Sequence, residues 1–522
     1  MKELTFLLNT LLLVANICPA QITFQTTYSA TNFGASAGFT VETTLDSGFI
    51  IAGNCIGSGN SDACITKTDF NGNVQWSEAL GNLRAENIFS VKQITTGSYI
   101  IAGTSRSFSV DSLNQFYVLK LSPTGNVLWE NTYGSLLSGV ELSAHRINLT
   151  ADGGFIIGGS KDDALMGMGM LYLKTDSAGT VSWGKYISGS LGSYGVESIR
   201  QTSDTGFIIT GNGGHLIKTN SIGNITWSKS YIGGSMSFDA LQTADGGYIL
   251  AGETNVYGAG AIDMYLIKTD STGNVLWCKT YGGSLDDNLR SAEQTSDGGY
   301  ILQGSTNSFG VGSTDIYLVK TDSAGTPLWS KTYGSTGTEL GFSAGEIPAG
   351  GFFISGYTNS FGNGTNATYL IKTDTAGTSG CNESSPVTLV TNPTITAVAH
   401  NDSSIVYNPD TFTPFSNING GLNASVLCAI VTSTFEETLR YSEDITISPN
   451  PARNNFTISF KNVITKGKIE LQTIFGQKIL AENISDKSKI DVSIENIFEG
   501  IYFVKVFDGK KYYCKKLIVE HD

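Results

Sequence analysis

One phrase recurs along the chain at a near-constant interval, and that recurrence limits the fold more than any other feature. It stands at Lys67-Thr68-Asp69, Lys120-Leu121-Ser122, Lys174-Thr175-Asp176, Lys218-Thr219-Asn220, Lys268-Thr269-Asp270, Lys320-Thr321-Asp322 and Lys372-Thr373-Asp374. Successive lysines are 53, 54, 44, 50, 52 and 52 residues apart, so there are seven units of about fifty residues. A tryptophan follows six of these lysines nine residues later (Trp76, Trp129, Trp183, Trp227, Trp277 and Trp329), and these are all the tryptophans of the chain. In the unit from Asp245, the runs GGYILAG, DMYLIKTD, NVLWCKTY and LRSAEQT read as four short strands bounded by turn residues. Asp270 and Gly273 occupy the first and last places of a four-residue turn, where each is favoured. Nothing in the unit has a helical period. Four strands per unit at this spacing predict an all-β chain with a seven-bladed β-propeller, the tryptophans packing as buried rings between blades.

The seventh copy breaks off, with Cys381 where the tryptophan belongs. The stretch after residue 20, QITFQTTYSATNFGASAGFTVETTLDSGFIIAG, reads like the second half of a unit. Its Phe24 and Tyr28 stand four apart, as Trp277 and Tyr281 do. This N-terminal strand is therefore expected to complete the last blade, with Phe24 in the tryptophan's place, leaving no open sheet edge.

Residues 1–20, MKELTFLLNTLLLVANICPA, have the lysine, short apolar run and small residues of a secretory signal peptide cleaved after Ala20. The run is too short to span a bilayer, and no other stretch is long and apolar enough. Six cysteines remain. Cys55 and Cys64 flank a hairpin loop, Cys381 and Cys428 bracket an irregular segment, and Cys278 reads as a buried thiol; export permits both pairings. There is no CxxC pattern, and the four histidines are scattered, so no metal site or cofactor is expected. With 46 acidic and 32 basic residues the chain carries −14, and 13 of the basic residues lie in Arg440–Asp522. Such a surface repels phosphate backbones and excludes a nucleic-acid partner.

The C-terminal part holds ISPNPARNNFTISF, FGQKIL, EGIYFVKV and YCKKLIVE in that order. Read locally, these are short alternating strands between Gly, Asn and Asp turns, hence a small β-sandwich. Together they resemble the type A sorting domain of the type IX secretion system. The resemblance implies that Pro449, Asn450, Pro451, Gly476, Gly500, Tyr502, Lys515 and Lys516 carry the sorting signal. It further implies a Bacteroidota-type route: passage to the periplasm, handling by the type IX machinery, then release or attachment at the cell surface. The D-x-x-G-x-x-x-W turn also resembles the repeat of pyrroloquinoline-quinone-type propellers, but this chain has no adjacent cysteines and seven units where the quinoenzymes usually have eight blades, so no quinone cofactor is expected. The organisation expected is a signal peptide at 1–20, a propeller at 21–380, a Ser/Thr/Asn-rich linker at 381–440 that pairs at most locally, and a sorting domain at 441–522.

Acidic residues fall mostly at repeated turn positions, which marks them as turn-makers. Asp162/Asp163 and Asp286/Asp287 break the repeat; each pair reads first as a solvated loop, with calcium binding or acid/base work in a polysaccharide-active hydrolase as the alternatives. No nucleophile elbow or histidine triad is present, so no catalytic residue is assigned. The loop between the first two strands of a unit repeats as NVYGAG, NSFGVG and NSFGNG, with a looser copy at Ser105–Val110. It places Phe108, Asn255, Tyr257, Asn307, Phe309, Asn359 and Phe361 at equivalent points of one face, an arrangement suited to stacking on sugars. The competing reading has each aromatic tucked beneath its own loop. The function expected is a surface binding or adhesion module for a glycan or another surface ligand.

Overall fold

The repeated lysine and tryptophan are cross-strand partners. In the computed structural model Lys67 lies opposite Trp76, Lys120 opposite Trp129, Lys174 opposite Trp183, Lys218 opposite Trp227, Lys268 opposite Trp277 and Lys320 opposite Trp329. Lys372 lies opposite Phe24, so the N-terminal strand Gln21–Ala30 does complete the last blade, fourth from the axis. The structure describes residues 21–520 apart from 31–34, 57–59, 83, 110, 136–138, 164–166, 189–194, 233–234, 362–364, 413–416, 419–421, 433–444, 474–477, 495–496, 498–499 and 508–511. The expected signal peptide lies outside the described residues.

Two compact units emerge, one spanning Thr23–Ile430 and one containing the C-terminal residues from Val431. The first is a ring of seven antiparallel sheets. The innermost strand of every blade packs against the second strand of the blade before it. For blade 1 (Ala35–Gly81) that neighbour is Phe352–Thr358 of blade 7, which closes the circle. At each junction the fourth-strand aromatic meets an aromatic of the next blade: Trp76 with Tyr99, Trp129 with Phe155, Trp183 with Phe207, Trp227 with Tyr248, Trp277 with Tyr300, Trp329 with Phe352 and Phe24 with Phe49, at 5.5–6.4 Å between ring centres. The indole also covers the next turn; a Cβ on Gly273, which has φ +78°, would lie 2.9 Å from Trp227. The six indoles are half-buried rather than buried as expected, because their edges reach the rim; Phe24 is fully buried.

The segment expected as a linker behaves differently. Each blade has the four strands the repeat predicts plus a fifth, and the fifth strands all come from residues 383–432. Glu383–Ser384 pairs with blade 6, Leu389–Thr391 with blade 5, Val398–His400 with blade 4, Ile405–Val406 with blade 3, Asp410–Phe412 with blade 2 and Asn417–Ile418 with blade 1. Leu422–Thr432 then adds to Gln21–Ala30 of blade 7. The segment thus makes one full circuit of the rim, against the blade order, and a Cys381–Cys428 disulfide joins its two ends. The cause is the outer edge of each blade, a row of unpaired backbone groups that an extended chain can satisfy. A Ser/Thr/Asn-rich stretch has too little apolar surface to prefer a structure of its own. A second disulfide, Cys55–Cys64, staples a hairpin of blade 1, and Cys278 is a buried free thiol.

The C-terminal unit consists of a three-stranded and a four-stranded sheet around a core that includes Phe456, Ile458, Leu471, Val504 and Leu517.

Candidate functional site

Every innermost strand carries a one-residue bulge at the same register. In blade 1, Gly38 pairs with Gly53 and Thr40 with Ala52, leaving Phe39 as the extra residue. The same slip frees Phe89, His145, Glu197, Phe238, Arg290 and Phe342 in blades 2 to 7. A bulge interrupts the ladder and re-aims its side chain. Here it adds one side chain per blade around the ring axis, and all seven are half-buried.

These residues touch one another from blade to blade. Phe342 meets Phe39 edge-on at 4.9 Å, Phe39 meets Phe89 at 5.8 Å, and Phe89 meets His145 at 6.1 Å between ring centres. His145 Nδ1 lies 3.3 Å from Glu197 Oε1, and the Arg290 guanidinium sits 4.6 Å above the Phe238 ring. Burial pushes the Glu197 carboxyl up, but His145 with Arg146 and Arg290 outweighs it and holds the group below the ordinary range. The Tyr357 ring extends the aromatic side from Phe342.

The residue after each bulge (Thr40, Ser90, Arg146, Ser198, Asp239, Ser291 and Ser343) lines a cavity of about 50 Å³ on the axis, shared with Glu42, Lys92, Arg200 and Glu293. Arg200 Nη2 donates to both Asp239 oxygens at 3.1 and 3.0 Å, and Lys92 pairs with Glu42. Burial, reinforced by the Arg200 charge, lowers the Lys92 amine to about 8, while burial raises Glu293. This floor has room for ordered water and not for a sugar or a side chain. What the axis offers a larger ligand is the bulge ring above it.

Of the residues expected on the rim, Phe108, Phe309 and Phe361 sit against Tyr117, Tyr317 and Tyr369 of their own blades at 6.2, 5.5 and 5.8 Å and join the cores between blades. Tyr257 is 37% exposed. Asn255, Asn307 and Asn359 are exposed, and Asn359 Oδ1 accepts the Thr338 amide at 2.7 Å. The blades hold these side chains apart. The innermost strands begin at this same face, so the bulge ring lies toward it. Sequence reading missed the ring because one extra residue leaves the strand pattern intact; the signal available was a position whose residue type varies while its neighbours repeat. Asp287 is fully buried and Asp286 half-buried, and Asp162 is exposed. On the opposite face, Leu45, Phe70, Ile94, Ile347, Pro348 and Ala349 line an apolar pocket of about 420 Å³ where blades 7, 1 and 2 depart from the repeat.

In the C-terminal unit Asn450 Nδ2 donates to the Lys516 carbonyl and its Oδ1 accepts the Ile518 amide, both at 2.8 Å, tying the Pro449–Pro451 turn to the last strand. Tyr502 is buried, Gly500 opens its strand, Lys516 is exposed, and Gly476 lies outside the described residues.

Residues 446–520 match the secretion system C-terminal sorting domain family. No curated protein matches the sequence. Solved structures similar to the chain include a protein of unknown function from Bacteroides caccae (11% identity, TM-score 0.35, covering 59% of this chain and 93% of that one). Another, from Dyadobacter fermentans, is also of unknown function (11%, 0.39, 67% and 98%), and a third is YCF48 bound to D1 peptide (11%, 0.36, 68% and 96%). Among the described residues no helix is long and apolar enough to cross a membrane. A β-propeller followed by a type IX secretion sorting domain at residues 446–520 makes this a secreted or cell-surface protein.

Proposed function

We propose that the protein is a non-enzymatic binding module, exported by a Bacteroidota-type type IX machinery, that recognises a glycan or another surface ligand at the axial bulge ring. The observation that carries this reading is the contrast between positions. The junction aromatics and their lysine partners repeat around the molecule, whereas the bulge position keeps its geometry and varies its residue: Phe, Phe, His, Glu, Phe, Arg, Phe. A packing role would favour one residue type. Phenyl faces beside an ionised carboxylate, an imidazole and a guanidinium suit a sugar, which presents apolar ring faces between hydroxyl groups. Glu197, held ionised, suits an acceptor of hydroxyl hydrogens better than a general acid, which needs a raised carboxyl. The exposed Tyr257 and its loop neighbours are a second candidate contact on the same face.

The test is retention of the purified protein on a panel of polysaccharides and glycans, with the same samples monitored for new reducing ends. Binding is expected to fall at least about tenfold in Phe39→Ala/Phe342→Ala and in Arg290→Ala, each removing on the order of 1.4 kcal/mol or more. A Tyr257/Phe309/Phe361 triple alanine variant is expected to keep most of it. The reverse pattern would move the site to the rim, and formation of reducing ends would overturn the non-enzymatic reading.

A further inference from the structure

The blade junctions differ in one respect that the repeat does not explain. Five residues before the repeated lysine, three blades carry a buried aspartate: Asp62, Asp263 and Asp315. The residue it faces on the next blade is also a buried acid, Glu86, Asp287 and Glu339 respectively. The other described junctions are neutral on both sides: Gln115 with Leu142, Gly213 with Ser235 and Ala367 with Ser36. Acid therefore meets acid, and neutral meets neutral.

The two carboxylates lie against the same glycine. A Cβ on Gly282 would lie 2.0 Å from Asp263 Oδ1 and 2.7 Å from Asp287 Oδ2; one on Gly334 would lie 1.9 Å from Asp315 Oδ1 and 2.5 Å from Glu339 Oε2. A side chain at either glycine would clash with both carboxylates. Asp263 and Asp287 are 1% and 0% exposed. Asp263 Oδ2 accepts the Gly260 amide at 2.9 Å, and Asp287 Oδ2 accepts the Gly283 amide at 2.6 Å and the Ser308 hydroxyl at 2.7 Å. Asp263 Oδ1 is buried and accepts no hydrogen bond. Among the described residues no lysine or arginine pairs with either acid. Two buried carboxylates in contact, without a counter-charge, strongly oppose folding. Two facing buried carboxylates without a counter-charge are the chemistry of a hard divalent cation, above all calcium.

We propose that the junctions of blades 1 and 2, 5 and 6, and 6 and 7 each bind a calcium ion between facing carboxylates, so that the ion cross-links neighbouring blades. The test uses the full chain, dialysed against chelator and then titrated with calcium chloride, reading bound calcium per chain by equilibrium dialysis and the midpoint of thermal unfolding. About three ions per chain and a calcium-dependent rise in the midpoint of several degrees are expected. Asp263→Asn/Asp287→Asn is expected to lower the count by one. Because it also removes the repulsion, that variant should unfold at a higher temperature than the wild type in chelator, which separates a lost site from a failed fold. No calcium bound at millimolar concentration, with stability rising instead as pH falls through the carboxylate range, would show that each pair shares a proton and would overturn the proposal. Undiminished calcium binding in the double variant would overturn it equally.

Discussion

The four inner strands of blade 6 come from one continuous stretch of chain and those of blade 7 from both ends of the propeller, and their lysines show what that costs. Lys320 donates to Asp297 at 2.8 Å and to the Thr321 carbonyl at 2.9 Å. Burial alone would raise the Asp297 carboxyl, but Lys320 and the Thr295 hydroxyl hold it down to about 2. The same pairing joins Lys67 to Asp46, Lys174 to Asp152, Lys218 to Asp204 and Lys268 to Asp245. In blade 7, Ala349 stands where the aspartate belongs. The Lys372 amine lies instead 2.7 Å from the centre of the Phe70 ring and 5.9 Å from that of Phe24, and donates to the Phe70 carbonyl at 3.3 Å. Burial pushes this amine down to about 6, against the pull of Asp69. The position is thus fixed by packing opposite an aromatic, and its charge partner is dispensable once the amine can shed its proton.

The comparison can be broken most strongly at the aromatic itself. Phe24 is fully buried, and Phe24→Ala should cost about 3–5 kcal/mol. The half-buried Trp277 should cost less, about 2–3 kcal/mol, when made alanine, because part of its ring never leaves water. Urea unfolding of the two variants measures the difference. Next in size are the two disulfides. Cys428→Ser opens a closure spanning 47 residues, and chain entropy assigns it about 4 kcal/mol; Cys64→Ser opens one spanning 9 and should cost about 2.5 kcal/mol. A midpoint shift larger for the short closure would mean that the rim segment stays on the blades without its covalent tie.

The lysines give the finest test. Between about pH 6 and the ordinary lysine range the unfolded chain holds a proton that native Lys372 has released, so this site makes stability rise with pH across that window. Lys372→Met should remove a slope of up to about 1.4 kcal/mol per pH unit between pH 7 and 9, read from denaturation curves. Asp297 gives a slope of the same sign in a lower pH window. Its carboxyl is depressed, so its contribution is present above the ordinary aspartate range and is lost as pH falls toward 2. Its side chain is 56% exposed and screened by water, so Asp297→Asn should cost about 1 kcal/mol or less at neutral pH.

The ring was legible because its packing residues repeat: one lysine and one aromatic per unit define register, junction and blade count, and Phe24 could be recognised by its four-residue distance from Tyr28. The rim segment was not legible. Its strands run to two or three residues at Glu383–Ser384 or Ile405–Val406, too short for alternation to show, and the partner edge belongs to residues far away in sequence. The bulge ring was hidden for the opposite reason, since Phe39 and Arg290 interrupt the ladder without interrupting the pattern. The loop aromatics were visible, but sequence could not tell that Phe309 leans on Tyr317 while Tyr257 stays exposed.

The circuit of the rim also dictates an order of events. Gln21–Ala30 lies between Ala367–Lys372 on one side and Leu422–Thr432 on the other, so this N-terminal strand is covered only when the last rim strand arrives. Each of the seven sheets is completed by its own piece of residues 383–432, from blade 6 round to blade 1, and blade 7 is the last to receive its outer strand. A chain cut short anywhere within that segment keeps its ring but loses strands progressively from the far end, beginning with the one that seals the seam. Completion of the fold thereby reports that the whole propeller has been synthesised.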